Sequence, residues 1–161
     1  MTDRWVVNAS PLILLGKAGQ LGWVAQLGEV VIPQSVAAEI SEGPDDDPAR
    51  QWIESGAGRD LIRTDAAASR VLLAWDLGAG ETAVIAWAVQ HPGVEAVLDD
   101  GAARACARVS GIQFRGTLSL VALAKRRGFI PAVRPVFDRL RAAGLFVTPA
   151  LIEQVTQASG E

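Results

Sequence analysis

Short apolar runs that end in helix-starting residues recur along this chain, and that alternation restricts its fold more than any other feature. Trp5-Val6-Val7 is wholly apolar and stops at Asn8-Ala9-Ser10-Pro11. It reads as a buried strand. Ser10 suits an N-cap and Pro11 a first helical position, so a helix is expected from Leu12. The glycine-punctuated stretch after it predicts a second short helix through Leu27. Residues 29–33 read as a strand closed by proline. Ser35 then reads as the cap of a helix over 36–41 that carries Glu39. The polar stretch 43–48 reads as a loop, followed by a helix over 49–55. Residues 61–63 fit a strand, and 69–75 form a short apolar segment. Gly78-Ala79-Gly80 opens a long helix over 81–90, which His91-Pro92-Gly93 ends. A strand over 95–98 stops at Asp99-Asp100. A helix over 102–109, a strand over 112–114 and a turn at Gly116-Thr117 follow. Helices over 118–127, 132–143 and 149–157 complete the chain.

Strands alternating with helices predict a three-layer α/β/α sandwich with a mostly parallel central sheet. The 161 residues contain no internal repeat and no linker-like tract. They are expected to form a single domain, residues 1–161, with 128–161 as a helical C-terminal extension. Half the residues are hydrophobic, which excludes a disordered chain. The apolar runs fall short of the about 20 residues needed to cross a bilayer, so no membrane association is expected. The first residues carry Asp3 beside Arg4 and no long apolar core, unlike a signal peptide. One cysteine excludes an intrachain disulfide, and a cytoplasmic location is expected. Cys106 lies in an alanine-rich helical run and reads as a small core residue.

In an open parallel sheet, ligands lie beyond the carboxyl ends of the strands. That rule selects Asn8 and Ser10, Asp99 and Asp100, and Gly116 and Thr117. Asp99 and Asp100 follow one strand, so one is expected to enter the site and the other to cap the next helix. Glu81 opens an almost wholly apolar helix, where a carboxylate is costly unless paired, protonated or bound to a cation. With Glu39, these acids come from different segments. Together they predict an all-oxygen site suited to Mg²⁺ or Mn²⁺ rather than zinc.

Charge is divided along the chain. Residues 1–100 hold 6 Lys/Arg against 15 Asp/Glu, a net of −9. Residues 101–150 hold 9 Lys/Arg against Asp138 alone, a net of +8. An acidic site beside a basic surface fits a polyanionic ligand. Other chemistries find little support. The only histidine, His91, sits in a helix-ending turn, and no nucleophile elbow is present. There is no Walker motif, no GxGxxG after the first strand and no zinc spacing. A phosphoacceptor receiver needs its acid pair after the first strand and a lysine after the last, and neither occurs. The five tryptophans lie mainly inside apolar segments and read as core, and with no tyrosine and few clustered exposed aromatics an aromatic face for single strands has only weak support.

The motifs also fall in a familiar order. Val6-Val7-Asn8-Ala9-Ser10-Pro11-Leu12-Ile13 resembles the opening motif of PIN-domain proteins, and residues 32–40, with Glu39, resemble their second motif. Residues 77–86, with Glu81, resemble the third acidic element. Ala96-Val97-Leu98-Asp99-Asp100-Gly101 resembles the strand-end aspartate motif, and residues 112–118 resemble the closing strand and turn. The resemblance covers about residues 4–125 and is greatest to an uncharacterised subgroup near the VapC-type toxins.

That resemblance implies a metal-dependent ribonuclease, in which Mg²⁺ or Mn²⁺ activates water for in-line attack on an RNA phosphodiester. Glu39, Glu81 and Asp99 or Asp100 would be the acidic ligands, with Asp100 matching the strand-end acid best. Ser10 and Thr117 would offer hydroxyls to the metal's water or to phosphate. Arg104, Arg108, Arg115 and the Lys125-Arg126-Arg127 cluster would contact the RNA backbone. A toxin would be blocked by a cognate antitoxin protein. The apolar C-terminal helices, with Val136, Leu140, Leu145, Phe146 and Val147, would either pack on the core or form a homodimer interface. One position departs from the family pattern: Asn8 stands where the family places aspartate. An amide oxygen still donates to Mg²⁺, but it brings no charge. Weaker metal binding, or an inactive PIN-like module that binds RNA or protein, is the alternative.

Overall fold

In the computed structural model, which describes residues 3–161, the first apolar run forms strand β1 (Arg4–Val7) at the centre of a parallel sheet. Its neighbours are β2 (Glu29–Pro33) on one side and β4 (Glu95–Val97) on the other. β3 (Ile62–Arg63) lies outside β2, and β5 (Phe114–Arg115) outside β4. The order is therefore β3-β2-β1-β4-β5. Trp5, Val6 and Val7 are all buried, as expected of a strand covered on both faces. The helices flank this sheet in three layers, the expected α/β/α sandwich.

The chain builds outward from β1 to β3, then returns to build outward again through β4 and β5. The order thus reverses between β1 and β4, where a crevice opens beyond the strand ends. Register sets what meets there. Val6 pairs with Ala96 and Val7 with Val97, and the Asn8 N–H donates to the Val97 carbonyl at 3.2 Å. Asn8 therefore lies directly beside the segment leading to Asp99 and Asp100.

Helices enter where the strands stop. α1 (Ala9–Lys17) starts before the expected position, and Asn8, not Ser10, is at its N-cap. Ser10 and Pro11 fall in the first turn, where a missing proline N–H costs nothing. α2 (Gln34–Ser41) likewise starts early. Its Ser35 is not the cap: the Ser35 N–H and hydroxyl donate to Asp65, 30 residues away. α3 (Pro48–Ser55) is capped by Asp47, which accepts from the Ala49 and Arg50 N–H groups. The stretch through Leu27 forms a 3₁₀ turn, Leu21–Gln26. Residues 69–75 contain a four-residue helix, α4 (Arg70–Leu73).

α5 (Ala79–Gln90) is apolar on every side and packs against β1, β2 and β4. α6 (Gly101–Val109) and α7 (Thr117–Arg126) follow β4 and β5. α8 (Arg134–Ala142) and α9 (Pro149–Ala158) close the fold. α8 packs on α1 and α9, while α9 also packs on α7. Phe137, Leu140 and Ile152 belong to the same apolar core as β1. Among the described residues, no helix is long and apolar enough to cross a membrane.

Candidate metal centre

Asn8 is the most unusual polar residue in the crevice. It is only 4% exposed, its side chain makes no capping bond, and its Oδ1 finds no hydrogen-bond donor among the described residues. A buried acceptor left unpaired costs about 1–3 kcal/mol. The side chain lines a cavity of about 350 Å³ together with Ser10, Glu81, Asp99 and Asp100. Thus β1, α1, α5 and the turn after β4 all deliver oxygen atoms to one place.

The acids have distinct local roles. Asp100 is the N-cap of α6 and accepts from the Ala103 N–H at 3.0 Å. Asp99 reaches the start of α7, where it accepts from the Thr117 N–H at 2.9 Å and from its hydroxyl at 2.5 Å. Adjacent carboxylates therefore hold the first turns of two different helices while both line the cavity. Glu39 stands behind the cavity. Its Oε1 accepts from the Gly80 N–H at 2.7 Å, which holds the first turn of α5.

Gly80 leaves room for that close approach. A Cβ there would lie 2.8 Å from the Glu39 Oε1 and 2.9 Å from the rest of the carboxylate. Gly80→Ala improves helix propensity by about 1 kcal/mol but displaces a hydrogen bond to a charged group, worth about 1.5–3 kcal/mol. The variant is expected to melt below wild type in a calorimetric scan; a raised melting temperature would contradict the Glu39 brace.

Glu81 is half-buried beside these acids. Burial raises its pKa first, and the charges of Asp100 and Glu39 raise it further. A backbone hydrogen bond at Gly78 opposes the shift without cancelling it. Like charges held together in a part-buried site are stabilised by a cation, which reverses each of these costs.

Among the described residues, no group of three or more His, Cys, Asp and Glu side chains is placed to hold a metal ion by itself. The donors are instead an orphaned amide oxygen and carboxylates that also accept from backbone N–H groups. That set fits a hydrated hard cation, which keeps several waters and takes only one or two carboxylates from the protein. It does not fit zinc, because Cys106 is buried in the core and His91 stacks on Trp87 at the far end of α5.

The other candidates divide. Ser10 is exposed and lines the cavity. Thr117 is fully buried, with its hydroxyl committed to Asp99. Arg104 donates through Nε to the Leu98 carbonyl at 2.9 Å and lines a neighbouring groove of about 490 Å³ with Arg126. Arg108 lies over the Phe114 ring, away from the cavity. Arg115 pairs with Glu95 at 2.8 Å and covers the Trp5 ring. Lys125 is bonded to Glu161 and the Ser159 carbonyl, and Arg127 to Asp3 and the Leu27 carbonyl. Four lining residues escaped sequence reasoning: Leu14 of α1, and Gly144, Leu145 and Phe146 from the α8–α9 connection. An apolar pair after a helix carries no sign that it will overhang an acidic cavity.

A family model described as a PIN domain matches residues 4–161. No curated protein and no solved structure gives a significant match. PIN domains are generally nucleases that typically use divalent metal ions, and the parallel sheet with acids at its switch point agrees with that fold. The match spans nearly the whole chain, and the chain belongs to the PIN-domain family.

Proposed function

We propose that this protein is a Mg²⁺- or Mn²⁺-dependent endoribonuclease, the toxin of a toxin–antitoxin pair. The observation that carries the reading is the buried, unpartnered Asn8 Oδ1 in a cavity shared with Glu81, Asp99 and Asp100. A divalent cation bound there would supply Lewis acidity to water and to the scissile phosphate. Glu81, Asp99, Asp100 and the Asn8 amide would hold it. Glu39 keeps the first turn of α5 in place so that Glu81 faces the cavity. Ser10 would orient phosphate from the exposed side. Arg104 and Arg126 would draw the RNA backbone along the adjoining groove. A cognate antitoxin protein would block this face. A homodimer is supported by Val71, Leu73, Val89 and Val109, which α4, α5 and α6 leave exposed.

Asn8→Asp tests the reading directly. A unit charge about 4 Å from a divalent cation contributes about 8 kcal/mol at an effective dielectric of 20, most of it offset by desolvation. Calorimetric titration is expected to show Mn²⁺ bound about tenfold more tightly, a gain of about 1.4 kcal/mol. RNA cleavage should rise with it. Asp100→Ser keeps a capping oxygen on α6 but removes the charge, and cleavage should be lost without unfolding. A wild type that neither binds metal nor cleaves RNA sinks the nuclease reading. It would leave the second reading, a PIN-like RNA- or protein-binding module without catalysis, which Asn8 at the first acidic position favours.

A further inference from the structure

We propose that Phe146 is a stacking platform for one base of single-stranded RNA, placed next to the acidic cavity. The inference deepens the ribonuclease reading, because it takes RNA as the ligand. Phe146 is 98% exposed, more than any other large apolar residue described. It is not on a loose tail. Gly144, at φ +111, turns the chain out of α8, and its N–H donates to the Arg141 carbonyl at 3.0 Å. The Leu145 N–H donates to the Leu140 carbonyl at 3.0 Å. Leu145 and Val147 pack against the core on either side. Thr148 then caps α9 through the Leu151 N–H at 3.1 Å. The connection is pinned at both ends, and the phenyl ring at its tip faces solvent.

The ring is also a shared wall. Phe146 lines the cavity with Glu81, Asp99 and Asp100, and it lines the groove that carries Arg104 and Arg126. Acid, aromatic and base thus line one continuous surface, with Asp99 and Phe146 common to both parts. A ribonucleotide chain presents the complementary groups: a phosphate for the cation site, a base for the ring, and a further phosphate for the arginines. An aromatic face accepts any base, because every base has a π-face. The cationic rim favours a polyanion over an apolar protein segment.

The test is fluorescence anisotropy of the full chain with a labelled single-stranded RNA of about ten nucleotides, in EDTA so that binding is read apart from cleavage. Phe146→Ala is expected to weaken binding about tenfold, and Phe146→Trp to restore it. The salt dependence should be the same in Phe146→Ala as in wild type, since no phosphate contact is removed. An abasic ribose-phosphate oligomer should bind both proteins equally. Because Phe146 is exposed, its truncation should leave the melting temperature unchanged. The inference is overturned if Phe146→Ala binds RNA as wild type does, if wild type binds no RNA, or if the substitution changes only self-association. Metal-dependent cleavage is scored separately. Base-dependent binding without cleavage keeps the platform and removes the nuclease, and cleavage indifferent to Phe146 does the reverse.

Discussion

Phe137→Ala is expected to destabilise the protein by about 3–5 kcal/mol, among the largest losses of stability a single truncation should produce here. Phe137 heads the fully buried side chains and shares one apolar core with the central strand. It sits on α8 with Val136 and Leu140 turned inward, while Arg134, Asp138, Arg139 and Arg141 are exposed. Arg139 adds a hydrogen bond from Nη1 to the Ala18 carbonyl at 3.2 Å, tying α8 to the end of α1. Residues on α8 and α9 thus complete the core rather than decorate it. Truncating the ring removes its transfer free energy and leaves a void that these helices fill only in part. In a chain of this size each kcal/mol moves the melting temperature by about 2–4 °C, so a fall of about 10 °C is expected. Urea unfolding should show a lower midpoint with an unchanged slope. A loss below about 1 kcal/mol would mean that α8 is an appendage.

How much of this was legible in sequence depends on what forms each element. β1 and β2 were readable because wholly apolar runs buried on both faces need nothing else to be strands. The start of α1 was not. Ser10-Pro11 is a sound local signal, but the Asn8 N–H is already held by the Val97 carbonyl, so the chain passes from strand to helix without a break. Ser35 failed as a cap for a related reason: Asp65, far along the chain, makes the bonds instead. β5 was expected over 112–114 and forms at Phe114–Arg115, because pairing with Ala96 and Val97 sets its position. Each difference comes from a partner distant in sequence, which local propensity does not see.

The site shows the same division. Strand-end acids were readable because a parallel sheet gathers residues at one edge. That Asp99 braces α7 while Asp100 caps α6 could be anticipated only as an alternation between two faces. The lack of a donor for the Asn8 Oδ1 among the described residues is a property of the folded surroundings. So is the position of Phe146, whose neighbours in sequence are ordinary apolar residues.

Glu81→Gln is expected to make the metal-free protein more stable at neutral pH and to remove its response to metal. The sign follows from the raised pKa of Glu81, caused by burial first and by Asp100 and Glu39 after it. Between the ordinary carboxylate value of about 4.3 and the raised native one, the folded protein holds a proton that the unfolded chain has lost. Stability therefore falls as pH rises through that window, and the cost persists above it. A divalent cation offsets the cost by stabilising the ionised form, so the melting-temperature gain from Mn²⁺ should grow as pH rises through the same window. The amide that replaces the carboxylate carries no charge to desolvate. Without metal, the variant should match wild type below about pH 4 and exceed it above that window. With metal it should gain nothing, and its Mn²⁺ affinity should fall at least about 100-fold, since even indirect supports of a metal ligand are worth 10–100-fold. Cleavage should fall with it. If Glu81→Gln still melts higher on addition of Mn²⁺, the cation is held by other groups, and Asp99 and Asp100 with the Asn8 amide become the site to examine.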